Sequence, residues 1–157
     1  MTISKRARQF QETLRERGLD LTVVELPDST RTADDAARAL GCEKGQIVKS
    51  LVFQDTATGA PVMVLASGTN RVDEKVVAQQ LGSTVGKADA DFVKRVTGYS
   101  IGGVPPLGHK EKLTLLVDQD LLDFDETWAA AGTPHAVFKI PGKITGILPE
   151  HQVVAVK

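Results

Sequence analysis

Three short β-type runs crowd the last part of the chain, Thr127 to Ala131, His135 to Ile140 and Gln152 to Val156, with little sequence between them for crossover helices. A parallel strand pair needs a connection of a dozen or more residues, usually a helix. The crowding therefore argues against a doubly wound parallel sheet and predicts a mixed, largely antiparallel one. Four earlier runs rich in branched or apolar residues, Leu21 to Leu26, Ile47 to Gln54, Val62 to Ala66 and Leu113 to Asp118, read as further strands. Asp55 to Pro61 reads as the connection of a hairpin between two of them.

Helices are marked by their ends. Ile3, Ala7, Phe10 and Leu14 recur at helical spacing among Lys5, Arg6, Arg8, Gln9, Glu12 and Arg15, an amphipathic pattern closed by Gly18. Thr32 with Asp35 three residues on has the form of a capping box, opening a helix through Ala36, Ala37 and Leu40 to Gly41. Asp73 caps a third helix over Glu74 to Leu81, stopped by Gly82, and Asp89 caps a fourth carrying Phe92, Val93 and Val96. The expected fold class is α+β: one compact domain, residues 1 to 157, around a mixed sheet with flanking helices.

Composition narrows the function classes. With 157 residues, 41% of them hydrophobic, the chain can bury about two thirds of its unfolded surface as one domain. It has no run near the ~20 apolar residues that cross a bilayer, and Met1 to Arg17 is polar, so a cytoplasmic protein with no membrane partner is expected. The single cysteine, Cys42, excludes an internal disulfide and a thiolate metal site of its own. His135 and His151 lack partners at metal-ligand spacing and read as structural or surface residues, so no metal is expected. A formal charge of −1 gives no global basic field, so any contact with RNA must be local.

Two features call for chemistry. In Ile47 to Gln54 the period of two places Lys49 on the face of Ile47, Leu51 and Phe53, where a core residue belongs. An ammonium there costs several kcal/mol unless it is paired or opens on a wet cleft; a lysine snorkelling from an edge strand is the structural alternative. The second feature is Thr97-Gly98-Tyr99-Ser100-Ile101-Gly102-Gly103-Val104-Pro105-Pro106-Leu107-Gly108-His109, which neither a helix nor a central strand can absorb. It is a stiff loop with bare backbone, able to bring N–H groups to a carbonyl oxygen or the oxyanion that develops on it. Glycine and proline loops are also common as plain connections.

In this order the two features resemble the YbaK/ProX family of aminoacyl-tRNA editing domains. The resemblance runs over Ser29-Thr30 to Leu40, Gly45-Gln46-Ile47-Val48-Lys49-Ser50-Leu51-Val52-Phe53, the turn Gly68 to Asp73, Thr97-Gly98-Tyr99, and Gly102-Gly103-Val104-Pro105-Pro106-Leu107-Gly108. It implies a mixed sheet bent partly into a barrel. It implies a free-standing deacylase, with no cofactor, that hydrolyses the ester of tRNA charged with the wrong small amino acid, often tRNA for proline. Prolyl-tRNA synthetase is then a candidate partner beside the aminoacyl-tRNA. Lys49 inherits the role of the family lysine, and Gly102, Gly103 and Pro106 that of the G-x-x-x-P loop. Thr30, Arg71, Asp118, His109 and Val104 become candidate substrate-binding residues, with Lys75 beside Arg71 as a further phosphate contact. His109 departs from the glutamine common in the YbaK branch.

The implied reaction is attack of water on the aminoacyl carbonyl with a ribose hydroxyl leaving, partly aided by groups of the substrate itself. A synthetase pocket gains only ~1–3 kcal/mol per methylene, so a second site is needed to remove errors. Two alternatives stand beside it. Gly98-Tyr99-Ser100-Ile101-Gly102 matches G-x-S-x-G with Asp118 and His135 in α/β-hydrolase order, but a nucleophile elbow needs a strand before and a helix after the serine, whereas here a helical segment precedes and Gly102 to Pro106 cannot be helical. The other is a domain of this fold that binds the aminoacyl-tRNA end without hydrolysing it.

Overall fold

Local chain signals set the helices of the computed structural model, which describes residues 3–27 and 32–157. Helix α1, Lys5–Glu16, buries Ala7, Phe10 and Leu14 and is capped by Ser4. Helix α2, Ala33–Leu40, starts where the Thr32 hydroxyl accepts from the Asp35 N–H at 3.1 Å and stops at Gly41. Helix α3, Glu74–Leu81, and helix α4, Ala90–Thr97, are capped by Asp73 and Asp89 and end at Gly82 and Gly98. All three terminal glycines have φ between 66° and 84°, the left-handed region that a side chain would strain.

The strands are β1, Val23–Glu25; β2, Val48–Asp55; β3, Pro61–Ser67; β4, Val85–Lys87; β5, Thr114–Asp118; β6, Glu126–Ala130; β7, Ala136–Pro141; and β8, Gln152–Val154. They form two sheets, ordered β1-β7-β6 and β4-β2-β3-β5-β8. The three-stranded sheet is antiparallel throughout; in the five-stranded one, β2 pairs antiparallel with β3 and β4, while β5 is parallel to β3 and to β8. The mixed, largely antiparallel arrangement is as expected, but it is divided between two sheets, and β8 leaves the β6-β7 hairpin to lie beside β5. The three-residue β4 gave no strand signal, being short and built around Gly86.

A parallel bridge between Ile47 and Trp128 joins the two sheets at one corner, so the barrel is started and left open. The larger core cluster contains Phe10, Leu14, Met63, Leu65, Leu107 and Phe138 and joins α1 to both sheets. A smaller cluster on the other face of the five-stranded sheet gathers Phe53, Val62, Val64, Val77 and Leu116. Val62 through Ala66 are all buried, consistent with the unbroken apolar run of β3, which lies between β2 and β5. Burial of this apolar area is the main stabilising term.

Candidate active site

The site lies at the open seam between the sheets. β3 pairs with β2 from Val48 to Gln54, but on its other side β2 meets only β4, at Phe53 to Asp55, and β6 through the single bridge at Ile47. Among the described residues, therefore, no strand pairs with that edge of β2 at Lys49 to Val52. Across the hairpin the Asp55 N–H donates to the Ala60 carbonyl, so by antiparallel alternation Lys49, Leu51 and Phe53 exchange bonds with β3, while the N–H and C=O of Ser50 face the seam.

A cleft of 420 Å³ opens there, walled by Ala33 and Ala36 of α2, Val48 to Leu51 of β2, and Trp128 to Ala130 of β6. A second depression of 410 Å³ continues past Lys49 toward Arg71, Glu74 and Lys87. Lys49, Ser50, Leu51, Ile101 and Val104 line both, which makes one groove with two chambers and Lys49 at the junction.

Lys49 takes the face that its strand period predicts: Leu51 and Phe53 pack into the smaller core cluster and Lys49 precedes them on that side. Its ammonium donates to the backbone carbonyl of Asn70. Burial holds its pKa below the usual lysine value, the nearby Lys44 cation pushes the same way, and Asp118 opposes both. Next to it, the Ser50 hydroxyl is buried with no hydrogen-bond partner among the described residues, although a buried hydroxyl of this kind costs about 1–3 kcal/mol.

The turn that receives Lys49 is tied down tightly. A Cβ on Gly68 would meet the Lys44 carbonyl at 2.2 Å, so the turn can lie against the start of β2 only with glycine there. Behind it, Asp118 is 1% exposed and accepts from the Ser67 N–H at 3.0 Å, the Asn70 side-chain amide at 2.8 Å and the Asp120 N–H at 2.9 Å. Asn70 also donates to Asp120 at 2.8 Å and accepts from Lys157 at 2.9 Å.

The glycine and proline loop follows α4. The Thr97 hydroxyl donates to the Val93 carbonyl at 2.7 Å and accepts from the Tyr99 N–H at 3.0 Å, turning the chain out of the helix. Gly102 lines the cleft with φ 94°. The Gly103 N–H donates to Ser100 at 3.0 Å and its carbonyl accepts from Gly132 at 2.9 Å, and an added Cβ would meet Thr133 Cα at 2.7 Å. Pro105, Pro106 and Leu107 are buried behind it. The loop is thus clamped against the turn between β6 and β7, with Ile101, Gly102 and Val104 at the groove.

Of the residues expected from the sequence, Lys49, Gly102 and Val104 border the cleft and Arg71 the second chamber. Gly103 and Pro106 shape the loop from behind. Asp118 lies beneath the floor with its carboxylate engaged by Ser67, Asn70 and Asp120. His109 faces another depression, beside Arg17 and Lys112. Its Nε2–H donates to the Pro105 carbonyl at 2.7 Å, and burial lowers its pKa. Thr30 lies outside the described residues. Asn70, Ser50 and Trp128 were singled out by no pattern; an asparagine inside a glycine turn followed by a capping aspartate was the one available hint for the first.

The hydrolase alternative loses its geometry. Ser100 is exposed in a turn after α4, the partners of Asp118 do not include His135, and His135 is exposed between β6 and β7. Cys42 is half-buried, and burial raises the pKa of its thiol. Among the described residues no three His, Cys, Asp or Glu side chains are grouped to hold a metal, and no helix is long and apolar enough to cross a membrane.

A sequence model of the aminoacyl-tRNA editing domain matches residues 27–145. The proline–tRNA ligase of Limosilactobacillus fermentum is 40% identical over a match covering 57% of this chain and 16% of the ligase, so the chain spans a small part of that relative's length. A protein of Enterococcus faecalis named as a candidate Cys-tRNA(Pro)/Cys-tRNA(Cys) deacylase, EbsC, is 30% identical over 64% of this chain and 62% of its own. A solved structure described as a candidate trans-editing enzyme for prolyl tRNA synthetase superposes with a TM-score of 0.92 at 45% identity, covering 99% of each chain.

Proposed function

The chain belongs to the aminoacyl-tRNA editing domain family, and from that premise we propose that it is a trans-acting deacylase, a single editing domain over residues 1 to 157 that hydrolyses the ester of mischarged tRNA in the Lys49 groove. The observation that carries this reading is a partly buried ammonium, bonded to the Asn70 carbonyl, at the junction of two chambers. An aminoacyl ester has two arms. The small amino acid would enter the cleft walled by Ala33, Ala36, Ala129 and Ala130, and the terminal adenosine would lie toward Arg71 and Lys87, whose exposed cations suit phosphate. The ester then sits beside Lys49.

Water bonds to the aminoacyl carbon, the bond to the ribose oxygen breaks, and that oxygen takes up a proton, giving free amino acid and free tRNA. Charge develops on the carbonyl oxygen. Lys49 and the backbone of the loop around Gly102 are fixed in place before it appears, which is the condition under which electrostatic stabilisation is effective. No side chain is asked to form a covalent intermediate. The match to a proline–tRNA ligase and to a protein named for Cys-tRNA(Pro) supports tRNA for proline as the substrate and cysteine as one of the amino acids removed; alanine, serine, threonine and 2-aminobutyrate are proposed beside it as small amino acids of similar size, with prolyl-tRNA synthetase as a functional partner in the cytoplasm.

The test is a panel of tRNA for proline charged with each of those amino acids. Accelerated loss of at least one ester, and little loss of the correct prolyl ester, is the expected result. Tight binding with no accelerated loss of any ester would favour the non-catalytic alternative. Ser100→Ala and Cys42→Ala should each keep activity within about twofold, since neither group is placed to attack. An acyl-enzyme trapped on either side chain would overturn the mechanism.

A further inference from the structure

Lys49 is aimed by one carbonyl, and that carbonyl belongs to a residue whose side chain is locked from three directions. Asn70 is 4% exposed. Its amide donates to Asp118 and Asp120, both at 2.8 Å, and its carbonyl oxygen accepts from Lys157 at 2.9 Å. The lock ties distant parts of the chain together: the turn after β3, the end of β5 with the 3-10 turn Gln119–Asp123 that follows it, and Lys157 beyond β8. Asp118 also holds the Ser67 N–H, fixing the start of the same turn. A surface turn could be closed with far fewer polar contacts, and a buried amide with all its partners in place is rigid.

We propose that Asn70 is the positioning residue of the site, its clamped side chain setting the backbone carbonyl that aims the Lys49 ammonium into the groove, with Asp118, Asp120 and Lys157 as the clamp. The inference rests on Lys49 being the working cation of the proposed deacylase. Asp118 thereby acts through Asn70 and not by touching substrate. Loss of an orienting contact behind a working group costs about 10- to 100-fold in activity where such contacts have been measured in metal sites, and the same range is expected for Asn70→Ala. The loss should fall on kcat, with tRNA affinity unchanged, because the phosphate contacts are untouched.

The experiment follows the Lys49 ammonium directly by ¹H–¹⁵N NMR of ¹⁵N-lysine-labelled full-length protein, beside single-turnover deacylation, tRNA binding and thermal unfolding. In the wild type an ammonium held by a carbonyl gives a slowly exchanging signal, assigned by its absence in Lys49→Arg. The signal should vanish in Asn70→Ala and weaken in Lys157→Met, with rates falling in the same order and Lys157→Arg restoring both. Asn70→Ala that stays folded with the signal and the rate intact would overturn the proposal, as would a lost rate with an unchanged signal. If Asn70→Ala fails to fold, Lys157→Met decides, since its partly exposed side chain can be replaced without opening the core; an unchanged signal there overturns the clamp. The NMR arm needs no substrate, so a wild type that hydrolyses nothing would refute the deacylase and leave the positioning of Lys49 separately measured.

Discussion

Lys49→Ala is expected to lose at least about 100-fold in single-turnover deacylation, or about 2.7 kcal/mol of transition-state stabilisation, the lower range for removing one preorganised donor to a developing oxyanion. The fold should survive, because the substitution takes a desolvated cation off an otherwise apolar strand face and keeps a strand-compatible backbone. Melting temperature should stay level or rise. The gain depends on pH in a defined direction. Burial and Lys44 hold the folded pKa below the ordinary lysine value, so below that folded pKa the ammonium is charged in both states and its desolvation opposes folding. As pH rises from the folded pKa toward the ordinary value, the unfolded chain binds more protons and the wild type becomes relatively more stable. The advantage of Lys49→Ala should therefore be largest below the folded pKa and shrink as pH rises from there toward the ordinary lysine value.

Activity gives the matching signature: after subtraction of spontaneous ester hydrolysis, the wild-type rate should fall on an alkaline limb below the pH where an ordinary lysine titrates. The charges that act on this ammonium are Lys44 before β2 and Asp118 at the end of β5, while Asp34 of α2 lines the cleft and Arg71, Glu74 and Lys87 line the second chamber. Asp118→Asn removes the carboxylate that opposes the lowering of the Lys49 pKa, so the limb should move to still lower pH. Near wild-type turnover by Lys49→Ala, at limiting and saturating substrate, would remove the lysine from the mechanism.

Gly102→Val should also abolish measurable turnover, by more than about 100-fold, whereas Pro106→Ala should lower it only several-fold. Gly102 borders the cleft at φ 94°, so valine both forces a branched residue into a conformation it avoids and places methyl groups where the ester must approach. Backbone strain of this kind costs on the order of 1–3 kcal/mol, so folding must be measured alongside activity. Pro106 is buried behind the loop, and alanine there frees the chain without entering the groove. tRNA binding by both variants should stay close to wild type and weaken together with rising salt, because it is expected to depend on phosphate contacts. A folded Gly102→Val protein with full activity would make the loop a mere connection.

Much of this was legible because it is local. Thr32, Asp73 and Asp89 cap their helices through bonds to N–H groups two or three residues on, and Gly41, Gly82 and Gly98 end them by their own conformational freedom. These are properties of a few adjacent residues. Lys49 stood out for the same reason: the strand period alone assigns it a face, and a charge on that face is costly wherever the strand is placed. The loop from Gly98 to Gly108 announced itself by composition.

What no local pattern carries is the partner of each element. β8 follows a hairpin in sequence yet pairs with β5, and among the described residues β2 keeps an edge without a strand partner because β4 covers only its far end and β6 makes its backbone bridge at Ile47, just before β2. That uncovered edge borders the groove, so the proposed binding surface is the product of a pairing that did not form. Asp118 and His109 were candidates by motif position, but the burial of one under three donors and the turning of the other toward Arg17 are set by packing from other parts of the chain. Asn70 meets Asp118, Asp120 and Lys157 across separations of 48, 50 and 87 residues, and a contact at such range follows from the closed fold, where hydrogen-bond partners are chosen by distance in space.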